Sequence, residues 1–490
     1  MIVLFNPWST PSPKKPLPMS LLAIASMLEG AFDYEIVDGN LVDDPVARIV
    51  EIGRQRRLTA IGITVMPGPQ LDHAVPASRR LKGALPGVPI VWGGYFPSQH
   101  ADVCLRAPYV DFCVQSQGER AFLALARVLA TGGDPGAIAG VVSRDATGAV
   151  HHAPRGPLTP LDDLPDWPYE RLPMDRYFHR HYLGARVGAH HSSYGCPFGC
   201  NFCAVVGMAK RRWMPQSAAR TFGVVRRLHD EYGADAVQFH DMDFFVSEER
   251  TSEFSDRMRG LGVAWWALGR VDELMRYRDD TWTRMRRSGL KMVFCGAESG
   301  SDAVLRRMNK GGRASAALTL ELARRMKHHG IVPEFSFVLG NPPDPETDIA
   351  ETIGFVRRLK RINADAEIIL YNYTPVPLDG TLYDSARALG FAFPESLEEW
   401  VAGEWRQFAL RRNPQTPWTR PGLQRRIRWF ESVLNAYYPT VTDMRLTGAR
   451  RALLRLLAGW RYRLQWYAWP LELRLLHRWL RYQRPETTGF

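Results

Sequence analysis

The alternation of short apolar strands with helical segments constrains the fold of this chain more than any other feature. In the first 145 residues, segments with the pattern of strands are separated by segments with helical spacing: MIVLFNP, YEIVDGN, AIGITVMPG, PIVWGGYFP and DFCVQSQGE are the strand-like ones. Such alternation predicts an α/β fold with a doubly wound parallel sheet. We therefore expect residues 1–145 to form an N-terminal Rossmann-like domain.

Three further regions follow, each with its own pattern. Residues 146–188 are rich in Pro, Asp and Arg and are predicted to form a linker. Residues 189–390 alternate again, which predicts a central partial (β/α)6 barrel with its active site at the carboxyl ends of the strands. Residues 391–490 change to Arg, Trp and Leu at helical spacing, which predicts a basic, Trp-rich, α-helical C-terminal domain.

Small and polar residues follow several strands of the first predicted sheet. Ligands of doubly wound sheets bind at the carboxyl ends of the strands, and glycine lets a large ligand approach the backbone. Ordinary tight turns would leave the same sequence pattern. The candidate binding residues at this edge are Pro7, Thr64, Met66, Gly93, Gly94, Tyr95, Gln117, Gly118 and Glu119.

Three cysteines crowd one short segment, SYGCPFGCNFC, directly after the first predicted strand of the barrel. Cys196, Cys200 and Cys203 are four and then three positions apart. Thiolates are the usual ligands of iron-sulfur clusters, and three of them leave one iron of a four-iron cube open. A closed zinc site would need a fourth ligand, and none follows nearby, although His190 and His191 precede the loop. The spacing therefore predicts a 4Fe-4S cluster.

CPFGCNFC resembles the CxxxCxxC signature of the radical S-adenosylmethionine (SAM) superfamily, including the aromatic Phe202 before the last cysteine. VWGGYFP and SQGE in the first domain resemble the cobalamin-binding domain of its B12-dependent branch. That branch includes cobalamin-dependent methyltransferases and proteins similar to the anaerobic Mg-protoporphyrin ester cyclase. The resemblance covers most of the chain, and it implies three cofactors: a 4Fe-4S cluster, SAM and cobalamin.

The resemblance also implies roles for single residues. In this family the open iron binds SAM, and reductive cleavage of SAM yields a 5′-deoxyadenosyl radical that takes hydrogen from the substrate. The SAM-binding residues that the resemblance and the strand ends suggest are Phe202, Asp241, Arg270, Glu298 and Ser299, although ion pairing and helix capping explain the charged ones equally well. The strand-end residues of the first domain become candidate cobalamin contacts.

No Asp-x-His-x-x-Gly motif, the source of a histidine beneath cobalt in other cobalamin proteins, occurs in the chain. The loop from Thr64 to Pro69 is the alternative, with Met66 or a water beneath the metal. A simpler interpretation of Met66 is that it fills a packing gap. Cys104, Cys113 and Cys295 are predicted to be buried packing residues.

The favoured function is a cobalamin-dependent radical SAM C-methyltransferase that acts on an unactivated carbon of a small hydrophobic metabolite. Its electron donor is expected to be a reduced flavodoxin or ferredoxin-type protein, and no catalytic side chain is assigned. One alternative is a B12-dependent oxidative cyclase or another non-methylating radical enzyme. A non-catalytic iron-sulfur electron carrier or sensor is a third hypothesis.

Charge and cysteine content bear on location and partners. Few cysteines, no export signal and no long apolar run indicate a cytoplasmic protein. The net charge of +12 is concentrated at the end, where residues 445–490 contain ten arginines and two acids. Arginines interleaved with Leu and Trp suit either a helical cap on the barrel or a peripheral contact with a membrane. No nucleic-acid-binding module supports an RNA or DNA partner.

Overall fold

The computed structural model describes residues 1–145, 147–310, 313–378, 380–480 and 482. The first unit is a sheet with helices on both faces. Its strands are β1 (Ile2–Asn6), β2 (Tyr34–Asp38), β3 (Ala60–Thr64), β4 (Ile90–Gly93), β5 (Phe112–Val114), β6 (Val141–Arg144) and β7 (Val150–His152). Its helices are α1 (Met19–Leu28), α2 (Pro45–Gln55), α3 (Pro69–Ala84), α4 (Tyr95–Arg106) and α5 (Glu119–Thr131).

The strand order of this sheet, over the described residues, is β2-β1-β3-β4-β5-β6-β7. The pairs from β2 to β5 are parallel, as the alternating sequence predicts. The last two pairs, β5 with β6 and β6 with β7, are antiparallel. These two strands were not predicted, and β7 lies inside the predicted linker of residues 146–188, because a short hairpin at a sheet edge has little apolar pattern of its own.

The central unit is a parallel sheet that curls into a partial barrel. Its strands are β8 (Val187–His190), β11 (Ala236–Phe239), β12 (Ala264–Arg270), β13 (Leu290–Glu298), β14 (Val332–Leu339) and β15 (Glu367–Asn372), and a separate antiparallel pair is formed by β9 (Ser193–Gly195) and β10 (Trp213–Pro215). In the described chain the barrel order is β15-β14-β13-β12-β11-β8, with every pair parallel. This arrangement confirms the predicted (β/α)6 topology.

Helices follow the barrel strands and cover the outside of the sheet. They are α6 (Ala204–Ala209), α7 (Ala218–Tyr232), α8 (Glu248–Met258), α9 (Val271–Leu274), α10 (Asp279–Arg287), α11 (Asp302–Arg307), α12 (Ala316–His329) and α13 (Pro345–Ile362). The remaining helices are α14 (Thr381–Ala388), α15 (Leu397–Trp400), α16 (Pro421–Tyr437), α17 (Gly448–Leu464) and α18 (Leu471–Leu480). Short 3-10 turns occur at Pro135–Ala137, Leu161–Asp163, Tyr169–Arg171, Met174–Arg176 and Gly403–Gln407.

Alternate residues of the barrel strands face opposite sides of the sheet. One set packs under the helices in the largest core of the protein, and it includes Val237, Trp265, Val293, Phe335 and Ile368. The other set forms a separate apolar cluster, which includes Ala236, Ala264, Trp266 and Met292, with Leu268, Phe294 and Val332 partly buried beside it. This second cluster lies on the inner side of the curled sheet, where Glu334 and His240 also contact Trp266, so apolar and polar side chains share the barrel interior.

Candidate active site

The cysteine loop leaves β9 at the carboxyl-end side of the barrel and runs into α6. Cys200 is buried, and Cys196 and Cys203 are half-buried. The thiols are close enough to influence one another electrostatically: burial raises the pKa of Cys196 to about 12 and that of Cys203 to about 11, and a neighbouring cysteine adds to each shift. Over the described residues, no three His, Cys, Asp or Glu side chains lie together as ligands of a single ion. In an iron-sulfur cube each thiolate binds a different iron.

Arg270, at the end of β12, brings positive charge to these thiols. Its Nη1 donates to Cys200 Sγ at 3.2 Å, and its guanidinium carbon lies 3.8 Å from the ring centroid of Phe198. The same side chain forms a buried bidentate ion pair with Asp272, at 3.0 and 2.8 Å, and donates to the carbonyl of Lys310 at 2.6 Å. All three guanidinium nitrogens of Arg270 donate to protein atoms, and its predicted role in SAM binding stays a prediction.

Lys310 and Glu298 form a second buried ion pair beside the cysteines. Glu298 ends β13 with φ +62°, a left-handed conformation that a side chain adopts only where its surroundings hold it there. A Cβ at Gly296 would lie 2.9 Å from Lys310 Nζ and would also strike the Glu298 carboxylate, so a side chain at this position would displace the ion pair. The Lys310 ammonium lies 5.7 Å from the ring centroid of Phe202. Glu298, Phe202 and the cluster loop therefore meet around one lysine.

The two aspartates after β11 have different surroundings. Asp241 is fully buried, and its carboxylate accepts hydrogen bonds from the backbone and hydroxyl of Ser192 and from the hydroxyl of Ser193. Asp243 is also fully buried, but within the described residues its Oδ2 has no hydrogen-bond partner. Burial raises the pKa of Asp243 to about 7, against the opposing charge of Arg270. Asp241 thus holds the junction of β8 and β9, whereas Asp243 interacts electrostatically with the cysteines.

Ser299 is tied to the neighbouring strand-end loop. Its hydroxyl lies 3.2 Å from Asp348 Oδ1, and Asp348 Oδ2 also accepts from the backbone amides of Gly340 and Asn341. Burial raises the pKa of Asp348, and these hydrogen bonds oppose the shift. The Ser299 hydroxyl therefore orders the loops after β13 and β14, and its assignment to SAM stays a prediction.

The candidate cobalamin residues cluster at the carboxyl edge of the first sheet. Gly94 has φ +96°, and a Cβ there would lie 3.2 Å from Thr64 Oγ1 and 3.3 Å from the carbonyl of Val65. Thr64 Oγ1 lies 3.0 Å from the hydroxyl of Ser20. Met66 is exposed rather than buried, which corrects its interpretation as a gap filler. Its backbone amide donates to Gln70 Oε1 at 2.8 Å, so the loop is held while the side chain projects outward.

The other predicted residues of this edge are placed more deeply. Pro7 is buried after β1, and Gly118 precedes α5. Gln117 exchanges hydrogen bonds with the backbone of Thr159, at 3.0 and 2.6 Å, and so ties the edge to the following segment. Glu119 is buried, and burial raises its pKa. Gly93 lies at the end of β4, beside Gly94.

The edge of the first sheet packs directly against the helix that follows the cysteines. Gln99 Nε2 donates to the carbonyl of Ala204 at 3.1 Å, and Ser116 Oγ donates to that of Met208 at 2.5 Å. Burial raises the pKa of Tyr95, and the nearby Cys203 thiolate raises it further. The carboxyl edge of the first sheet and the segment that follows the cysteines are therefore in direct contact.

The residues at this interface fit the cofactors that the sequence predicts. Cys196, Cys200 and Cys203 supply thiolates, and Arg270, itself paired with Asp272, donates a hydrogen bond to Cys200 Sγ. At the carboxyl edge of the first sheet, Gly93 and Gly94 have no side chain to cover the backbone, and neutral hydrogen-bonding groups lie nearby.

Family models match both halves of this interface. The B12 binding domain matches residues 12–126, and the radical SAM superfamily matches residues 191–356. The chain is a radical SAM enzyme with a B12-binding domain. Its cofactors are therefore the 4Fe-4S cluster, SAM and cobalamin.

Known proteins are similar to this radical SAM enzyme over much of its length at low identity. An uncharacterised methyltransferase of Pyrococcus horikoshii is 28% identical over 346 residues, which are 70% of this chain and 73% of that protein. The anaerobic magnesium-protoporphyrin IX monomethyl ester cyclase of Synechocystis sp. is 26% identical over 330 residues, 65% of this chain and 64% of the cyclase. The solved structure of the cobalamin-dependent radical enzyme OxsB is 16% identical, covers 98% of this chain and 74% of its own, and has a TM-score of 0.69.

Several residues of the radical SAM site were not singled out from the sequence. Phe198 lies between two cysteines, and Lys310 lies in the segment that contains Glu298, but only the folded chain brings both to Arg270 and the cysteine loop. Cys104, Cys113 and Cys295 are fully buried, as predicted. No helix in the described part of the chain is long and apolar enough to cross a bilayer.

Proposed function

We propose that this enzyme is a cobalamin-dependent radical SAM C-methyltransferase. The observation that carries the proposal is the interface at which Gln99, from the B12-binding domain, donates to the carbonyl of Ala204, the residue that follows Cys203 of the cluster loop. A methyl group carried on cobalamin and a radical generated from SAM must both reach one substrate carbon. Direct packing of the two edges supports this requirement, because cofactors bound at these edges would both face one site.

The cofactors supply the electron transfer, the radical and the methyl group. The protein residues bind, orient and neutralise charge. Cys196, Cys200 and Cys203 would hold the cluster, and Arg270 and Lys310 hold positive charge next to it in a buried setting where charge interactions are strong.

The interior of the barrel favours a small hydrophobic substrate. Ala236, Ala264, Trp266 and Met292 form its buried apolar lining. Trp266 Nε1 donates to Glu334, so a polar group is already paired within that lining. Apolar side chains with a few placed polar groups are the usual surroundings of a small organic ligand.

The test is product analysis under anaerobic conditions. Purified, reconstituted enzyme is incubated with SAM, a low-potential reductant and a panel of hydrophobic candidate substrates. Methyl transfer predicts S-adenosylhomocysteine and 5′-deoxyadenosine in equal amounts, together with a product heavier by one methyl group. A reduced flavodoxin or ferredoxin-type donor, as expected in the cytoplasm, should replace the chemical reductant.

The similarity to the Synechocystis cyclase favours one second candidate, a non-methylating radical oxidation or cyclisation. That reaction would yield 5′-deoxyadenosine without S-adenosylhomocysteine. Substrate-dependent 5′-deoxyadenosine without S-adenosylhomocysteine would therefore replace the methyltransferase proposal by this second reaction.

A further inference from the structure

Each of the last two described helices presents apolar side chains to solvent. Leu453, Leu456, Trp460 and Leu464 lie on one side of α17, at the three- and four-residue spacings that align side chains on a helix. Leu456 is 76% exposed and Leu464 is 72% exposed. The opposite side of α17 is buried through Leu454, Ala458, Arg461 and Tyr462.

Helix α18 repeats this arrangement. Leu471, Leu475 and Trp479 are spaced by four residues and exposed, with Trp479 at 73%, whereas Leu473 and Leu480 are buried. The connection between the helices adds exposed Trp466 and Trp469. We call these nine side chains, which are Leu453, Leu456, Trp460, Leu464, Trp466, Trp469, Leu471, Leu475 and Trp479, the C-terminal apolar face. Apolar patches of this extent mark interaction surfaces.

The protein holds this face in a fixed arrangement. Arg461 is buried, forms an ion pair with Glu472 of α18, and donates to the carbonyls of Ala468 and Trp469 at 2.7 and 3.1 Å. Trp460 and Trp466 pack edge to face, with ring centroids 5.5 Å apart. The helices therefore pack against the rest of the protein with one side and expose apolar side chains on the other.

The charges around the face indicate what covers it. Arg455, Arg463, Arg474 and Arg478 are exposed. Within the residues that the structure describes, none of these four arginines forms an ion pair, and the acid of α18, Glu472, is engaged by Arg461. A partner that buries leucine and tryptophan while supplying many negative charges fits this surface. An anionic lipid bilayer does both, because its acyl region takes the apolar side chains and its headgroups take the arginines.

We infer that the C-terminal apolar face of α17 and α18 docks the enzyme in the interfacial layer of an anionic phospholipid membrane. The helices lie in the plane of that layer. Trp460, Trp466, Trp469 and Trp479 anchor at the headgroup level, and the unpaired arginines contact the phosphates. Docking does not depend on methyl transfer.

The test uses full-length enzyme with its cofactors and two kinds of vesicle, pure phosphatidylcholine and phosphatidylcholine with phosphatidylglycerol. Sedimentation and tryptophan fluorescence report binding without SAM or substrate, so the result is separate from that of the activity assay. We expect binding to the phosphatidylglycerol vesicles and a blue shift of tryptophan emission. Binding should weaken as salt is raised, because salt screens the arginines.

Variants locate the contact. L456Q/L464Q/L475Q/W479Q removes four largely exposed side chains without opening the core, and it should lower the vesicle partition coefficient by more than about 100-fold. V42Q/L389Q changes two exposed apolar residues elsewhere and should bind like wild type. R455Q/R463Q/R474Q/R478Q should lose the preference for phosphatidylglycerol. Circular dichroism and the cluster absorbance check that each variant is folded.

Three results would overturn the inference. The first is a wild-type enzyme that binds neither kind of vesicle. The second is an L456Q/L464Q/L475Q/W479Q variant that binds as well as wild type. The third is a wild-type dimer that the apolar variant converts to a monomer, with no vesicle binding by either, which would assign the face to a second copy of the chain. Equal binding to both vesicle types would overturn the role of the anionic headgroups.

Discussion

The carboxyl edges of the two sheets differ in how their polar groups are satisfied. The barrel edge contains buried charges, such as the pairs Arg270–Asp272 and Lys310–Glu298. The edge of the B12-binding domain relies more on amides, hydroxyls and backbone, for example Gln70 with Asn6. The same strand-helix architecture is thus adapted to an anionic cluster and a charged ligand at one edge, and to a large ligand that approaches bare backbone at the other.

Loss of a cluster thiolate should have the largest effect, because the barrel edge could then no longer bind the cluster. In C200A the cube would have two protein ligands, so we expect no stable 4Fe-4S absorbance and no detectable 5′-deoxyadenosine. C104A removes a buried thiol of the B12-binding domain and should keep iron content and SAM cleavage at the wild-type level. Retained SAM cleavage by C200A would contradict the assignment of the cluster.

Removal of one partner of a buried ion pair should be the next largest effect. K310M leaves Glu298 buried without its cation, which we expect to cost about 3–5 kcal/mol in the free energy of unfolding, measured anaerobically with urea. The double variant K310M/E298Q should recover a large part of the loss, since it no longer buries an unpaired charge. A loss below about 1 kcal/mol in K310M would show that the charge of Glu298 is satisfied by other groups.

Acid should destabilise the barrel through His190. Tyr169 Oη lies 2.9 Å from His190 Nδ1, and Nε2 lies 3.0 Å from Gln216 Oε1, while burial lowers the pKa of His190 to about 4. The unfolded chain therefore binds a proton at higher pH than the folded one, and this contribution to stability is lost as pH falls from about 6.5 to about 4.

H190Q should abolish this part of the pH dependence, on the order of 3 kcal/mol between those limits. H151Q, at an exposed position, should leave the wild-type curve unchanged. Chemical unfolding at a series of pH values measures both variants. Parallel stability curves for wild type and H190Q would contradict the buried neutral state of His190.

The smallest effect is expected from a substitution of Gly94, at the carboxyl edge of the first sheet. G94A places a Cβ against Thr64 and Val65 at φ +96°, which should cost about 1–3 kcal/mol and weaken cobalamin binding. Gly30 has φ +71° but open space around its Cβ position, so G30A isolates backbone strain from the clash and should keep cobalamin bound. Thermal unfolding and the absorbance of bound cobalamin report the two effects. Equal cobalamin retention by both variants would show that close backbone approach at Gly94 is not needed.

The sequence predicted the elements whose pattern is local. Strand-helix alternation predicted the parallel strands of both sheets, and the spacing of the cysteines predicted the cluster loop. Each of these signals lies within a few neighbouring residues. The antiparallel strands β6 and β7 were missed, since their pairing depends on an edge made by residues distant in the chain. The interpretation of Met66 as a packing residue was wrong, because burial depends on what lies opposite in space.

The sequence by itself determined that the chain has two β/α units and three cysteines suited to an iron-sulfur cluster. Only the tertiary structure decided which charged residues meet at that cluster, which serines hold Asp241, and that Gln99 donates to the carbonyl that follows Cys203. The physical reason is that strands and metal-binding loops follow from local patterns. Ion pairs and domain contacts join residues separated by tens to hundreds of positions, whose proximity exists only once the chain has folded.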